Sequence, residues 1–231
     1  MKSSGRMRTW RSIILAAGIG LLAASCQVED LQRLGRRYWL WNFDSEAAGE
    51  IPTGWSVAET ASTGAPAKWE IVEDTSAPSK PQAVAVTQTK NRGRTYNLLI
   101  AEDTRYRDVG LRVMVKAGTG QEDQGGGPIW RAQDADNYYI ARWNPLENNF
   151  RVYYVKGGRR KQIGSADVDV DPEQWHEIAI EHRDTTIKAS LDGRLLIEVE
   201  TDVFTDAGMI GLWTKADAAT SFDDVSVAEI E

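Results

Sequence analysis

The sequence predicts an all-β chain built as two packed antiparallel sheets. Three observations predict it. Short alternating or β-rich runs recur at frequent intervals through most of the chain. Turn dipeptides such as Gly157-Gly158 and Asp192-Gly193 stand between them, and both positions of Asp-Gly tolerate positive φ. Beyond the first 26 residues no stretch holds a helical period, and a long succession of strands closes most readily as a sandwich.

The runs are read in order. Ala83 to Thr89 is the first, followed by Val109 to Lys116 and Pro128 to Gln133. The turn Asp134 to Asn137 leads into Tyr138 to Trp143, and Phe150 to Lys156 reaches Gly157-Gly158. Lys161 to Val168, Trp175 to Arg183 and Thr186 to Leu191 continue the series. Arg194 to Glu200, Met209 to Lys215 and Phe222 to Glu229 complete it. The globular part is expected to start within Tyr38 to Asp44.

The N-terminus carries a different signal. Lys2, Arg6, Arg8 and Arg11 precede an apolar run from Ser12 to Ala24, and small residues lead into Cys26. Basic, apolar and small-residue segments in that order are the parts of a secretory leader. The run is shorter than the roughly 20 apolar residues of a membrane span. Leu22-Ala-Ala-Ser-Cys26 resembles the lipobox of bacterial lipoproteins. That resemblance implies lipidation of Cys26, a lipid anchor in the membrane and a cell-envelope location. Gln27, where inner-membrane lipoproteins often have Asp, points to the outer membrane. The expected organisation is a signal peptide over 1–25, a lipidated Cys and short tether over 26–40, and one domain over 41–231.

Composition bounds the partners. The chain has 27 basic and 34 acidic residues; losing the four basic residues of the leader leaves 23 against 34, a net charge of −11. Such a surface repels phosphate backbones, so no nucleic-acid partner is expected. With one Cys an intrachain disulfide is excluded, and stability must come from the core. The nine Trp serve a core or a stacking platform equally well.

Several segments, in order and spacing, resemble the concanavalin A-like lectin and glucanase superfamily in its laminin-G-like bacterial lipoprotein branch. They are Gly127-Pro-Ile-Trp-Arg-Ala-Gln-Asp-Ala-Asp-Asn-Tyr-Tyr-Ile-Ala-Arg142, Asn144 to Asn149, Trp175-His-Glu-Ile, Leu191-Asp-Gly-Arg-Leu-Leu196, Ala207 to Asp217 and Phe222-Asp-Asp-Val225. Asn42-Phe-Asp-Ser with Gly49-Glu-Ile-Pro-Thr-Gly-Trp55 adds to them. The branch includes domains labelled as family-sixteen-type glycoside hydrolases or 3-keto-disaccharide hydrolases. The resemblance implies a jelly-roll sandwich, often with a carbohydrate ligand and sometimes with calcium.

Glycosidase chemistry needs two carboxyl groups about 5–5.5 Å apart for retention or about 6.5–9.5 Å for inversion. No Glu-x-Asp-x-x-Glu strand is present. Glu177 and Glu181 are roughly 13 Å apart along one strand face, too far, and Glu198 and Glu200 at roughly 6.6 Å read as a solvated face. His176-Glu177 lacks the second His of a helical zinc motif, and no Gly-x-Ser-x-Gly elbow exists. Asp44 near the first strand and Asp223-Asp224 near the last could meet if the terminal strands pair, and hard oxygen ligands suit calcium. The candidate ligand-binding set is Arg131, Tyr138, Arg142, Asn144, Glu147, Tyr153, Trp213 and Lys215. Period two places Tyr138 with Arg142, expected on the wet face, and sends Trp143 to the core. Binding of a carbohydrate or glycoconjugate at the envelope is the expected role. A hydrolase of glycosidic or 3-keto-glycoside bonds, and a structural protein binding another protein, are the rivals.

Overall fold

The turn chemistry works as expected. Gly157 and Gly158 have φ of 55° and 71°, and Asp192 and Gly193 have φ of 49° and 75°. Two successive residues at positive φ match the right-handed twist of the strands they join. In this computed structural model, residues 38–62 and 65–230 are described; the leader, Cys26 and residues 27–37 of the expected tether lie outside the described residues, whereas its last three residues, 38–40, are described.

Fifteen strands form among the described residues. They are β1 (Tyr38–Trp41), β2 (Trp55–Thr60), β3 (Lys68–Glu73), β4 (Gln82–Gln88), β5 (Tyr96–Tyr106), β6 (Val109–Ala117), β7 (Gly127–Asp134) and β8 (Asn137–Asn144). A 3₁₀ turn at Pro145–Glu147 leads to β9 (Asn149–Lys156), β10 (Arg159–Asp167), β11 (His176–Arg183), β12 (Thr186–Leu191), β13 (Arg194–Glu200), β14 (Gly208–Lys215) and β15 (Thr220–Glu229). One sheet runs β13-β12-β11-β6-β15-β4-β3, with β1 also paired to β15. The other runs β10-β9-β8-β7-β14-β5-β2. The chain is therefore an all-β, two-sheet antiparallel sandwich. Every expected run from Ala83 onward falls on a strand. β1, β2, β3 and β5 carry no expected run.

Between the sheets lies a core fed by alternate residues of each strand. Leu111, Val113 and Val115 of β6 and Ile178 and Ile180 of β11 meet Tyr139, Ala141 and Trp143 of β8 and Phe150 and Val152 of β9. Trp143 goes to this core, as period two requires. The seven-stranded sheet is apolar on its other face too. Leu98, Ile100, Ile129, Tyr138, Ile140, Tyr153, Val155 and Trp213 form a second buried cluster there. A sheet buried on both faces reads as continuous apolar sequence. That is why Tyr96-Asn-Leu-Leu-Ile-Ala101 shows no alternation.

β15 changes partner partway along. Ser221 and Phe222 pair with β4, whereas Val225 to Ala228 pair with β1. Its register against β6 shifts between Asp223 and Ser226, and Asp224 has φ of 45°. The irregularity is a bulge, which re-aims side chains locally. Asp223 is left wholly buried at the hand-over.

Candidate functional site at one end of the seven-stranded sheet

Along the outer face of this sheet the apolar cluster gives way to charge at one end. Past Ile140, β8 presents Arg142 and Asn144; past Tyr153, β9 runs back to Arg151 and Asn149; past Trp213, β14 presents Lys215. Asn144-Pro145 opens the 3₁₀ turn, with the Asn144 side chain accepting from Glu147 N at 3.1 Å. Proline at the first position suits such a turn, and Asn148 closes it at φ 47°, which Asn tolerates. The turn thereby carries Glu147 back over Arg142.

Four of the expected residues do meet here, and they meet around Asp123, which sequence reading did not single out. Arg142 donates from Nη1 to Asp123 Oδ1 at 3.1 Å and from Nη2 to Glu147 Oε2 at 2.9 Å and Asn149 Oδ1 at 3.2 Å. Asn144 Nδ2 donates to Asp123 Oδ1 at 2.9 Å, and Lys215 Nζ reaches Asp123 Oδ2 at 2.5 Å. Arg142 is 1% exposed, so its expected place on a wet face is corrected. A guanidinium can be buried when a carboxylate is buried with it. Burial opposes charge on Glu147, but the Asn149 amide and the Arg142 and Arg151 guanidiniums outweigh it and hold the carboxyl down at about 2. Glu147 is therefore an anion across the physiological range, and no proton donor.

Asp123 also joins this network to a surface cleft. Asp217 accepts main-chain N–H bonds from Gln121 at 2.8 Å, Glu122 at 3.0 Å and Asp123 at 2.9 Å. Burial opposes its charge, but these three donors lower the Asp217 pKa. The loop is thereby pinned from both sides, through its main chain and through the Asp123 side chain. Its outer surface walls an open cleft of about 540 Å³ with Thr89, Lys90, Asn91, Arg92, Gln121, Glu122 and Asp217. Lys90, Arg92 and Gln121 are exposed, whereas Asn91 is fixed by bonds to Glu59 and Asn97.

The other expected residues are placed elsewhere. Arg131, at φ 46°, is buried and holds Arg107 O, Phe204 O, Asp184 O and Asp108, which lie on turns at the opposite end of the strands. Tyr138 lies four residues from Arg142 on β8, roughly 13 Å away. Its hydroxyl bonds Thr60 at 2.8 Å and receives Trp213 Nε1 at 3.2 Å, and burial raises its pKa. Trp213 and Tyr153 share the second apolar cluster, under the Arg160 guanidinium, which is 4.3 Å from the Tyr153 ring centre and 5.7 Å from that of Trp213. These three aromatics are packed and carry no open stacking face.

Asp44, three residues past β1, lies near enough to Asp223 and Asp224 on β15 for its charge to act on both. Ser79 N donates to Asp223 at 2.9 Å, Ser79 Oγ to Asp224 at 2.7 Å, and Gln82 N to Asp44 at 3.1 Å. Burial, then the charges of Asp224 and Asp44, push the Asp223 pKa up to about 8. Burial and the Asp44 charge likewise raise that of Asp224. The donor chemistry, hard oxygen with excess negative charge, is of the kind calcium takes. Among the described residues no group of three or more His, Cys, Asp or Glu side chains has metal-holding geometry, so main-chain oxygens would have to complete a shell. With its nitrogen turned toward them, the Gln82 amide donates to Phe43 O at 2.8 Å and Glu46 O at 2.9 Å, which occupies two such oxygens.

No family profile matches the chain, and no curated protein is similar to it. Among solved structures it is similar to carbohydrate binding module CBM66 from Bacillus subtilis, with a TM-score of 0.60 and 18% identity over 75% of this chain and 95% of that one. It is similar to the Bacillus licheniformis beta-glucanase, with a TM-score of 0.56 and 12% identity over 84% and 98%. A third similarity is to domain 4 of the arabinanase AbnA from Geobacillus stearothermophilus in complex with arabinotriose, with a TM-score of 0.52 and 12% identity over 84% and 93%. The chain has the concanavalin A-like jelly-roll sandwich fold that these proteins share.

Proposed function

We propose that this chain is a lipid-anchored protein of the cell envelope that binds a carbohydrate or glycoconjugate in the cleft beside Asp217. The observation that carries the reading is the pinned loop 121–123. Its walls are held before any ligand arrives, and preorganised polar walls lower the ordering cost of binding. Lys90, Arg92 and Gln121 supply exposed donors suited to hydroxyl or carboxylate oxygens. The fold likeness to a carbohydrate-binding module supports the ligand class.

Hydrolysis by the charged network is disfavoured on chemical grounds. A glycosidase needs one carboxyl kept protonated. Glu147 is held ionised and Asp123 is bound by two cations. Lipidation at Cys26 and an outer-membrane location belong to the same proposal, on the leader sequence alone. So does a structural calcium at Asp44, Asp223 and Asp224, which would neutralise the acidic cluster where β15 changes partner.

A glycan array followed by titration calorimetry tests the binding reading. Arg92→Ala and Gln121→Ala should each weaken the best glycan tenfold or more without moving the melting temperature. A glycan bound equally well by both variants would place the site elsewhere. The absence of any glycan ligand would remove the reading.

A further inference from the structure

β1 is the strand through which the described chain enters the sandwich, and among the described residues it is paired on one side only, with β15. Edge strands in soluble proteins are usually blunted with charge. This one reads Tyr-Trp-Leu-Trp, and Trp39 and Leu40 are 52% and 49% exposed. The Trp39 ring lies 5.9 Å from that of Trp41 at 14°, and Trp41 meets Trp55 edge-on at 5.3 Å. The exposed indole is therefore braced from behind by a rigid aromatic stack.

The position of the strand in the chain says what it faces. Tyr38 follows Cys26 by twelve residues, a span of at most about 40 Å when fully extended. Arg33, Arg36 and Arg37 fall within that span. Indole rings favour the headgroup level of a bilayer, and basic residues favour its phosphates. The mature charge of −11 gives no long-range attraction to anionic lipid, so the contact would be an apolar one.

We propose that the unpaired edge of β1, with Trp39 on one face and Leu40 on the other, forms a bilayer contact, inserting at the interface of the membrane that holds the lipid on Cys26. The proposal rests on the lipid-anchor reading. It makes the anchor two-pronged and sets the orientation of the sandwich: β1 faces the lipid.

The test uses mature protein made from the full chain, in phosphatidylcholine–phosphatidylethanolamine vesicles with bromine on the upper acyl chain. The emission difference between wild type and Trp39→Phe reports Trp39 together with its effect on the stacked Trp41. Brominated lipid should quench that difference at least about twofold, as expected for an indole at headgroup depth. Leu40→Ser should weaken the quenching while leaving the melting curve in place. Intact mass spectrometry of Cys26 is run on the same sample. A lipidated Cys26 with an unquenched Trp39 overturns the contact and leaves the anchor standing. An unmodified Cys26 overturns both. Quenching or shift of the Trp39 signal by soluble oligosaccharide, and not by brominated lipid, would make the stack a glycan platform and overturn the membrane assignment.

Discussion

Arg142 and Arg151 stand directly opposite one another on β8 and β9, and both guanidiniums donate to the same Glu147 oxygen at 2.9 Å. Like charges facing across an antiparallel pair repel. Here one carboxylate, returned by a three-residue turn, lies between them. The arrangement ties the end of the β8–β9 hairpin together and fixes the anionic state of Glu147.

Replacing Glu147 by Gln should therefore destabilise the fold, by about 1 kcal/mol given that the carboxylate is half-exposed. The sign with pH follows from its depressed pKa. Its contribution is present above pH 4.5 and is lost as pH falls toward about 2. Urea denaturation of wild type and Glu147→Gln should separate at pH 7 and converge near pH 2. A gap that persists at pH 2 would mean that the charge is not what matters.

Asp123 is the harder residue to lose. Asp123→Asn leaves Lys215 without its carboxylate and the buried Arg142 with Glu147 as its one remaining carboxylate. Breaking a buried pair by removing one partner costs about 3–5 kcal/mol. Combining it with Arg142→Gln should recover part of that loss, with a coupling of about 1–3 kcal/mol in a double-mutant cycle. Strict additivity would show that the two do not interact in solution.

The two residues also mark the limit of what the sequence discloses. β8 and β9 are legible because the core face alternates with an outer face, and turn residues bound each strand. Arg142 reads as a wet residue because its partner lies on another segment. Asp123 sits in Gly118 to Gly126, a glycine-rich loop with no strand period, so nothing local marks it as the group that buries an arginine. β5 is hidden by the opposite effect, since both of its faces are apolar. The approach of Asp44 to Asp223 and Asp224 was legible, because it needs only the pairing of the first and last strands. The bulge that buries Asp223 was not, since a register shift leaves no trace in composition.

That bulge has a pH consequence opposite to that of Glu147. A carboxyl whose pKa is raised on folding, here from 3.8 to about 8, contributes stability that is full below pH 3.8 and is lost as pH rises through 8. Metal-free protein should accordingly be more stable at pH 6 than at pH 9, and Asp223→Asn should flatten the difference. Millimolar calcium should raise the melting temperature of wild type at pH 8 and leave that of Asp223→Asn unmoved. If calcium moves neither, the proposed ion is not there.

His182 supplies the acid side. It is wholly buried on β11, and Trp130 Nε1 donates to its Nδ1 at 2.9 Å, so the ring proton must sit on Nε2. Burial, and then the Arg131 charge, lower its pKa from 6.5 to about 3. A base held neutral in the fold contributes stability that is present above pH 6.5 and is lost as pH falls through 3. The ring nitrogens in a ¹⁵N-labelled sample should report the Nε2–H tautomer at pH 7 and keep it at pH 4.5, where an exposed imidazole is charged. On the same strand His176 has its Nδ1 2.7 Å from Asp192 and its Nε2 2.8 Å from Asp171 O, so both of its nitrogens face acceptors. Protonation of His182 at pH 4.5 with the near-ultraviolet dichroism intact would refute its sealed placement against Trp130.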